Sequence, residues 1–147
     1  MAYHHKQVGT IIISGIGIAL LVVFLYLWEN QQLDSVQLAI FIGGVLVLSL
    51  FSSLTVEVNS NTISCRFALG LIKRKIALSN IESVHAVNNP WYAGWGIRWR
   101  PGQYVLWNVS GFRAVELVLK NGNRFRIGTD EPDALLEAIR NHHTIAT

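Results

Sequence analysis

An uncharged apolar run near the N-terminus is the feature that most limits how this chain can fold. Residues 8–28 carry no Asp, Glu, Lys or Arg, and about 20 such residues cross a hydrocarbon core about 30 Å thick. A second run, residues 36–54, is interrupted only by Gln37 and a few serines. A backbone in lipid turns only where its polar groups are satisfied, so two runs this close in sequence must be antiparallel. The sequence therefore predicts a transmembrane helical hairpin within residues 1–54.

Each predicted span carries two small residues four positions apart. Gly15 and Ala19 form the pair in the first span, and Ala39 and Gly43 form the pair in the second. Because small residues let membrane helices approach closely, we expect these two faces to meet. The alternative is that glycine is simply tolerated in membrane helices.

The basic residues that flank the spans predict their orientation. The segment between the spans has no Lys or Arg, whereas Lys6 precedes the first span and Arg66, Lys73, Arg74 and Lys75 follow the second. Lys and Arg near span ends resist translocation, which predicts a two-span protein of the cell inner membrane with both termini cytoplasmic. A cleaved signal peptide is disfavoured, because the first run exceeds the usual core of about 7–15 residues and no A-x-A site follows it.

The remaining charges belong to a second, water-soluble part. Of the 147 residues, the first 54 carry only Lys6, Glu29 and Asp34 as formal charges, and the rest carry eleven Lys or Arg and seven Asp or Glu. One domain at residues 55–147 is the natural partition for a chain of this length. A surplus of four positive charges in that domain suits a position beside anionic headgroups. Cys65 is the only cysteine, which excludes an intramolecular disulfide.

From Thr55 onward, apolar residues alternate with polar ones, as in half-buried strands. The predicted strands include Val56 and Val58, then Ile63, Cys65 and Phe67, then residues 71–78, and then a strand led by Ile81 and Val84. Arg74 falls on the apolar side of its run, which indicates a strand end, a bulge or an open sheet edge.

Residues 114–120 and 123–129 flank Asn121-Gly122, a pair suited to a type I′ hairpin turn. The predicted inward set is Val115, Leu117, Leu119, Phe125 and Ile127, and the outward set is Glu116, Lys120, Arg124 and Arg126. A helix over residues 131–142 follows, with Thr129 or Asp130 as its cap and Pro132 in its first turn. Its apolar stripe is Leu135, Leu136 and Ile139.

Six or seven antiparallel strands followed by one amphipathic helix predict a small barrel or sandwich whose open end the helix closes. Four segments follow the anchor in a recognisable order and run from residue 54 to residue 139: LTVEVNSNTISCRF, GLIKRKIALSNIESV, WYAGWGIRW and AVELVLKNGNRFRIGTDEPDALLEAI. This order resembles the bacterial PH-like domains of small membrane proteins with two transmembrane helices. The resemblance implies a PH-like fold and a non-enzymatic scaffold.

The segment at residues 88–108 is the one unusual stretch, and a loop of this length is commonly functional or mobile. It contains Trp91, Tyr92, Trp95, Arg98, Trp99, Arg100, Tyr104 and Trp107. One interpretation lays this loop on the headgroup layer, with help from Lys73, Arg74 and Lys75. The alternative, favoured by the tendency of large rings to bury, packs Trp91 and Trp99 over the barrel. The candidate membrane or partner surface is Trp91, Tyr92, Trp95, Arg98, Trp99, Arg100, Lys73, Arg74 and Lys75.

No pattern in the sequence indicates catalysis, a metal site, a cofactor or a nucleic-acid partner. His4-His5 and His142-His143 are typical of solvated tails, and Asp130, Glu131 and Asp133 fit the start of a helix. Gly94-Trp95-Gly96 lacks the surroundings of a phosphate loop. We therefore expect a non-enzymatic, membrane-tethered PH-like module that binds a protein partner or lipid headgroups at the cytoplasmic membrane surface. The alternative is a structural or regulatory subunit of a larger membrane complex, recognised through its transmembrane hairpin.

Overall fold

The computed structural model describes residues 3–30 and 34–144, with side chains through residue 142. Within these residues there are nine strands: β1 Tyr3–Val8, β2 Ser53–Val58, β3 Thr62–Phe67, β4 Lys73–Ala77, β5 Ile81–Asn88, β6 Gly96–Arg100, β7 Tyr104–Asn108, β8 Arg113–Leu119 and β9 Arg124–Gly128. The three α-helices are α1 Thr10–Asn30, α2 Ser35–Leu50 and α3 Pro132–Thr144. Single 3₁₀ turns occur at Leu78–Asn80 and Trp91–Ala93.

The two apolar runs form consecutive helices that contact each other. Within the described chain, α1 is the one helix long and apolar enough to cross a membrane, whereas α2 is a shorter apolar helix of 16 residues. The predicted second span, 36–54, is therefore too long. Its last residues belong to β2, and Leu54 is fully buried in the core of the β domain.

The expected contact between the small-residue faces is seen only in part: Ala19 and Gly43 are partly covered, whereas Gly15 and Ala39 are exposed. A Cβ atom added at Gly15 or Gly43 would meet nothing within 4 Å, so neither glycine lies where the helices approach closely. The partly covered positions of α1 instead lie on one side of the helix and are Ile12, Ile16, Ala19 and Val23. Isoleucine and valine side chains therefore supply most of the covered side of α1, and Ala19 is the one residue of the predicted small pair that takes part.

The strands form two sheets. Sheet A has the order β1-β2-β3-β4 with antiparallel pairing throughout, and sheet B has the order β5-β8-β9-β7-β6. In sheet B, β7 and β9 are parallel, so the prediction of six or seven strands, all antiparallel, is wrong in both number and pairing. The additional strands are β1, which precedes the helices, and the hairpin β6–β7, which replaces most of the predicted loop at residues 88–108.

Strand β1 brings residues from before the two apolar helices into the β domain. His5 and Gln7 face inward, where the His5 ring contacts Asp130 at 2.6 Å and the Gln7 amide donates to the Ser110 carbonyl at 3.2 Å. The expectation that His4-His5 belongs to a solvated tail is therefore wrong. The boundary placed at residue 54 separates β1 from β2, although the two strands pair along their whole length.

The apolar faces of the two sheets form one core. The predicted inward set of the β8–β9 hairpin is buried, with exposed fractions of at most 8%, which confirms the hairpin. Its turn differs from type I′: Gly122 donates to the Leu119 carbonyl, and Leu119 donates to the Asn123 carbonyl. Gly122 has φ of 81° and closes a three-residue loop of the bulged kind.

Helix α3 closes the side of the molecule between β1 and β5. Leu135 and Ile139 are fully buried in the main core, and the helix packs along β5 and β8. The hydroxyl of Thr129 accepts a hydrogen bond from the Glu131 N–H just before the helix begins. On the opposite side, β4 is an open edge of sheet A, and this position explains why Arg74 occurs on the apolar face of its strand.

Candidate functional site

Helices α1 and α2 leave the β domain together, at what we call the junction end. The backbone N–H of Gly9 donates to the Ser52 carbonyl at 2.7 Å, so the entering and leaving chains lie side by side. Phe51 packs edge-on against Phe67, with ring centroids 5.0 Å apart. The helices are therefore joined to the domain through two paired strands and an aromatic contact, with no free linker.

One rung of sheet A near the junction end carries three cations. In register, Lys6 lies opposite Thr55, Thr55 opposite Arg66, and Arg66 opposite Lys73. Residues paired across strands point to the same face, so the three exposed cations share the outward face of the sheet. We call Lys6, Arg66 and Lys73 the cationic rung. Among the described residues, only Arg66 of these three has a carboxylate partner, Glu57 at 2.7 Å.

The loop between β3 and β4 also lies at the junction end, because it follows Phe67, which packs on Phe51. Leu69 is 70% exposed and Leu71 is 75% exposed. Gly70, between them, has φ of 69° and allows the tight turn. We call Leu69 and Leu71 the leucine tip. These two apolar side chains are directed to solvent at the end from which the apolar helices emerge.

The first part of the predicted aromatic loop crosses the outward face of sheet B. Strands β5 and β6 lie at opposite edges of that sheet, so residues 89–95 pass over the strands between them. We call these residues the crossover. Asn89 accepts a hydrogen bond from Arg126, and Ala93 is buried against Tyr104. The crossover therefore covers part of a sheet face that was expected to be open to solvent.

The tryptophans of this region have different surroundings. Trp91 is 79% exposed and Trp99 is 74% exposed, so the alternative in which these two rings pack over the barrel is wrong. Trp107 lies in the core at 6% exposure. Trp95 is half-buried, and its indole N–H has no hydrogen-bond partner within the described residues.

Strand β6 directs Arg98 and Arg100 to the same outward face, as their alternation predicts. The Arg100 guanidinium lies 5.0 Å from the Tyr92 ring centroid and 5.8 Å from the Tyr104 ring centroid. These distances fit cation–π contacts that orient the guanidinium. A Cβ added at Gly94 would lie 3.2 Å from a guanidinium nitrogen of Arg98, so the absence of a side chain at residue 94 makes room for that arginine.

On the outward face of sheet B, the crossover covers a buried ion pair. Glu116 accepts from Arg126 at 2.6 Å, with the two side chains only 8% and 15% exposed. The Arg126 guanidinium also lies 3.7 Å from the Tyr104 ring centroid. The predicted outward set of the hairpin is thus only partly solvated, because the crossover covers Glu116 and Arg126.

A groove separates the open edge of β4 from sheet B, at the end of the domain away from the junction. Its volume is about 390 Å³, and Arg74, Trp99, Arg100 and Arg124 line it. The Arg74 guanidinium lies 4.5 Å from the Phe125 ring centroid. We call this the arginine groove.

The nine predicted site residues therefore do not form one surface. Arg74, Trp99 and Arg100 line the arginine groove, Lys73 belongs to the cationic rung, and Lys75 lies on the outward face of β4. Trp91, Tyr92 and Trp95 belong to the crossover, and Arg98 lies beside it.

A polar cluster joins β1 to the start of α3. His5 contacts Asp130 at 2.6 Å and Glu131 at 3.4 Å. Burial and the neighbouring carboxylates of Glu131 and Asp130 raise the pKa of Tyr3 to about 12. In the part of the chain that the structure describes, no group of three His, Cys, Asp or Glu side chains is arranged to hold a metal ion. The cluster links the N-terminal strand to the C-terminal helix.

Sequence reasoning missed Lys6, Arg66, Leu69 and Leu71 as members of a surface. The sequence indicates Lys6 and Arg66 only as signals of membrane orientation, and it predicts Leu71 as part of a strand. The alternation of Tyr3, His5 and Gln7 with His4 and Lys6 is the one signal that could have revealed β1. With β1 recognised, antiparallel pairing would align Lys6 with Thr55 and Arg66.

Together, the fold and these surfaces define a mixed protein with nine described strands in two sheets, three helices, and an apolar helix pair inserted between the first two strands. Comparison of the chain with known protein families gives no match, and comparison with curated proteins gives none either.

Proposed function

We propose that the protein is a membrane-anchored, non-enzymatic module whose β domain engages anionic lipid headgroups through the cationic rung and the leucine tip. The observation that carries this proposal is that three features lie close together in the structure. The apolar helices, three cations on one strand rung and two exposed leucines occur together at the junction end. In a bilayer, the apolar core likewise lies directly beside the anionic headgroups.

The exposed helices support membrane insertion. No residue of α1 or α2 is buried, and an apolar surface of this extent is typical of a membrane or interaction site. Helix α1 is long enough to span the bilayer. Helix α2, at 16 residues, is about 24 Å long, and in this proposal the bilayer thins locally to accommodate it.

Strand pairing supports the placement of both ends of the helix pair on the same side of the membrane. Because β1 and β2 pair from Tyr3–Val58 to Val8–Ser53, the chain must return to the side from which it left. The surplus of Lys and Arg on that side favours the cytoplasmic face of an inner membrane.

The contact between the cationic rung and the headgroups is weak by itself, and the attached helix pair keeps it occupied. Each Lys or Arg near an anionic surface contributes about 1 kcal/mol, which alone would bind a free domain weakly. The direct connection at Gly9 and Ser52 keeps the rung at high effective concentration beside the headgroups. In addition, Lys73 lies directly opposite Arg66. Glu57 already pairs with Arg66, whereas Lys73 has no carboxylate partner among the described residues and can pair with a phosphate.

A PH-like architecture belongs to the same proposal. Two packed sheets, with one side closed by a C-terminal helix, support it. The parallel pairing of β7 with β9 and the crossover between β5 and β6 are differences from a simple antiparallel meander. The proposed function depends on the junction end and not on this classification.

An environment-sensitive probe tests the headgroup contact. In a Cys65→Ala background, Leu71→Cys labelled with the fluorophore NBD is reconstituted as the full chain in nanodiscs. We expect blue-shifted emission in discs containing phosphatidylserine, and a smaller shift after Lys6→Glu and Lys73→Glu. The matched control is NBD at Asn121, which lies at the opposite end of the domain and should report water in all discs.

Equal emission from the two labelled positions in anionic discs would contradict the proposal. A blue shift at residue 71 that charge reversal leaves unchanged would limit the contact to the leucine tip and remove the role of the cationic rung.

A second candidate is a structural or regulatory subunit of a larger membrane complex, recognised through the helix pair. The open surroundings of Gly15 and Gly43 favour it, because another helix could pack against them. In that case Gly43→Leu should abolish co-purification of partner subunits from native membranes, while Lys73→Glu should not.

A further inference from the structure

The arginine groove continues along the open edge of β4. A second groove of about 340 Å³ is lined by four consecutive residues of β4, Arg74 to Ala77, and it shares Arg74, Leu119 and Asn121 with the first. Its opposite wall is the turn between β8 and β9. The two grooves therefore form one channel whose floor is a strand edge with unpaired backbone groups.

The channel is strongly basic. Arg74, Arg100 and Arg124 line the first part, Lys75 and Lys120 line the second, and no Asp or Glu lines either part. Within the described residues, neither Arg74 nor Arg100 has a carboxylate within ion-pair distance. Their guanidinium groups instead lie against aromatic rings, which limits their motion and leaves their N–H groups available for an anion.

From this geometry we infer that the channel binds an extended acidic segment of a protein partner, which adds as a strand to the edge of β4. An open strand edge supplies hydrogen bonds along an extended backbone, and every second side chain of that backbone faces the same way. A carboxylate on the inward face of the segment would meet Arg74, and a carboxylate at its end would meet Arg100, which points to the outward face of sheet B. Arg124, which lies 3.8 Å from Glu116, adds positive charge there. Trp99, exposed at the rim, provides an apolar contact.

This inference rests on the proposed function in one respect: it takes the domain to be anchored with the channel facing water. The channel and the junction end share no residue, and Arg74 and Lys73 point to opposite faces of β4. The headgroup contact and the peptide site therefore can fail independently.

A synthetic peptide tests the inference on the full chain in zwitterionic nanodiscs. The probe is fluorescein-labelled Val-Glu-Val-Glu-Val-Glu, whose six residues are enough to pair with all five residues of β4. We expect saturable binding by fluorescence anisotropy. The same peptide with alternate backbone nitrogens methylated should bind at least about tenfold more weakly, because it loses hydrogen bonds to the strand edge.

Variants locate the site. Arg74→Gln and Arg100→Gln should each weaken binding by about fivefold or more, because each removes a charge-assisted hydrogen bond. Arg113→Gln is the matched control, since Arg113 is exposed and pairs with Asp133 at the other end of β8. It should leave binding unchanged.

Three results would overturn the inference: no saturable binding below about 1 mM, equal binding of the methylated peptide, or equal binding of Val-Lys-Val-Lys-Val-Lys. The methylated and lysine peptides are compared on the unaltered protein, so these outcomes do not depend on the folding of any variant. Displacement of the peptide by millimolar inorganic phosphate with no effect of methylation would indicate a simple anion site and would also overturn strand addition.

Discussion

Gly9 is the residue at which β1 passes into α1, and the space around it is filled by backbone. A Cβ at this position would lie 3.1 Å from the carbonyl oxygens of both Ser52 and Val109. Since neither oxygen can rotate away, we expect Gly9→Ala to lower the free energy of unfolding by about 1–3 kcal/mol. Thermal unfolding of the detergent-solubilised full chain measures this. Gly17→Ala, where a Cβ meets nothing within 4 Å, is the matched control and should not destabilise the protein.

The ion pair of Glu116 with Arg126 should contribute far more than the one between Glu57 and Arg66. Replacing Glu116 by Ala leaves a buried guanidinium without its partner, and we expect a loss of about 3–5 kcal/mol. Glu57→Ala breaks an exposed pair and should cost about 1 kcal/mol or less. Denaturant unfolding of both variants gives the comparison. Equal losses would mean that the crossover does not exclude water from Arg126.

Stability should fall in alkaline solution because of two groups. Burial raises the pKa of the Cys65 thiol from 9.0 to about 12, and the pKa of Tyr3 is raised from 10.0 to about 12. Between these values the folded state binds more protons than the unfolded state, so the free energy of unfolding decreases as pH rises from about 9 to about 12. Denaturant titrations at successive pH values should show a shallower decline for Cys65→Ala and for Tyr3→Phe. An unchanged slope in both variants would contradict the assignment.

At the scale of the elements, local patterns determined what could be predicted. The β8–β9 hairpin and α3 were predicted because alternation, a turn pair and a cap all lie within a few residues of one another. Strand β1 was missed because its inward residues His5 and Gln7 are polar. They are held by Asp130 and Ser110, more than 100 residues away in sequence. The separation of the candidate site into a rung, a crossover and a groove depends on strand order, which a single sequence does not reveal.

The pairing of β1 with β2 gives a prediction about the domain without its two apolar helices. Val8 lies opposite Ser53, so a two-residue Asn-Gly turn can replace residues 9–52 and close an ordinary hairpin. We expect this chain to be a folded, monomeric, water-soluble domain with dispersed amide resonances in NMR spectra. The fragment 53–147 lacks β1, exposes the edge of β2 and the inward face beneath Tyr3, and should aggregate. Equal behaviour of the two chains would mean that β1 is dispensable.

At the scale of the whole molecule, the strand ladder constrains topology more strongly than the charges do. Charge bias is a statistical preference, whereas separating β1 from β2 across a bilayer would leave two strand edges unpaired. In a Cys65→Ala background, Asn30→Cys, at the tip of the helix pair, should react with a membrane-impermeant maleimide in intact cells. Lys75→Cys, in the β domain, should react only after permeabilisation. Changing Lys6 to Gln weakens the charge signal but leaves the ladder intact, so we expect the labelling pattern to persist. Reaction of both cysteines from the same side of intact cells would mean that the helix pair does not span the membrane, and the headgroup contact would lose its physical basis.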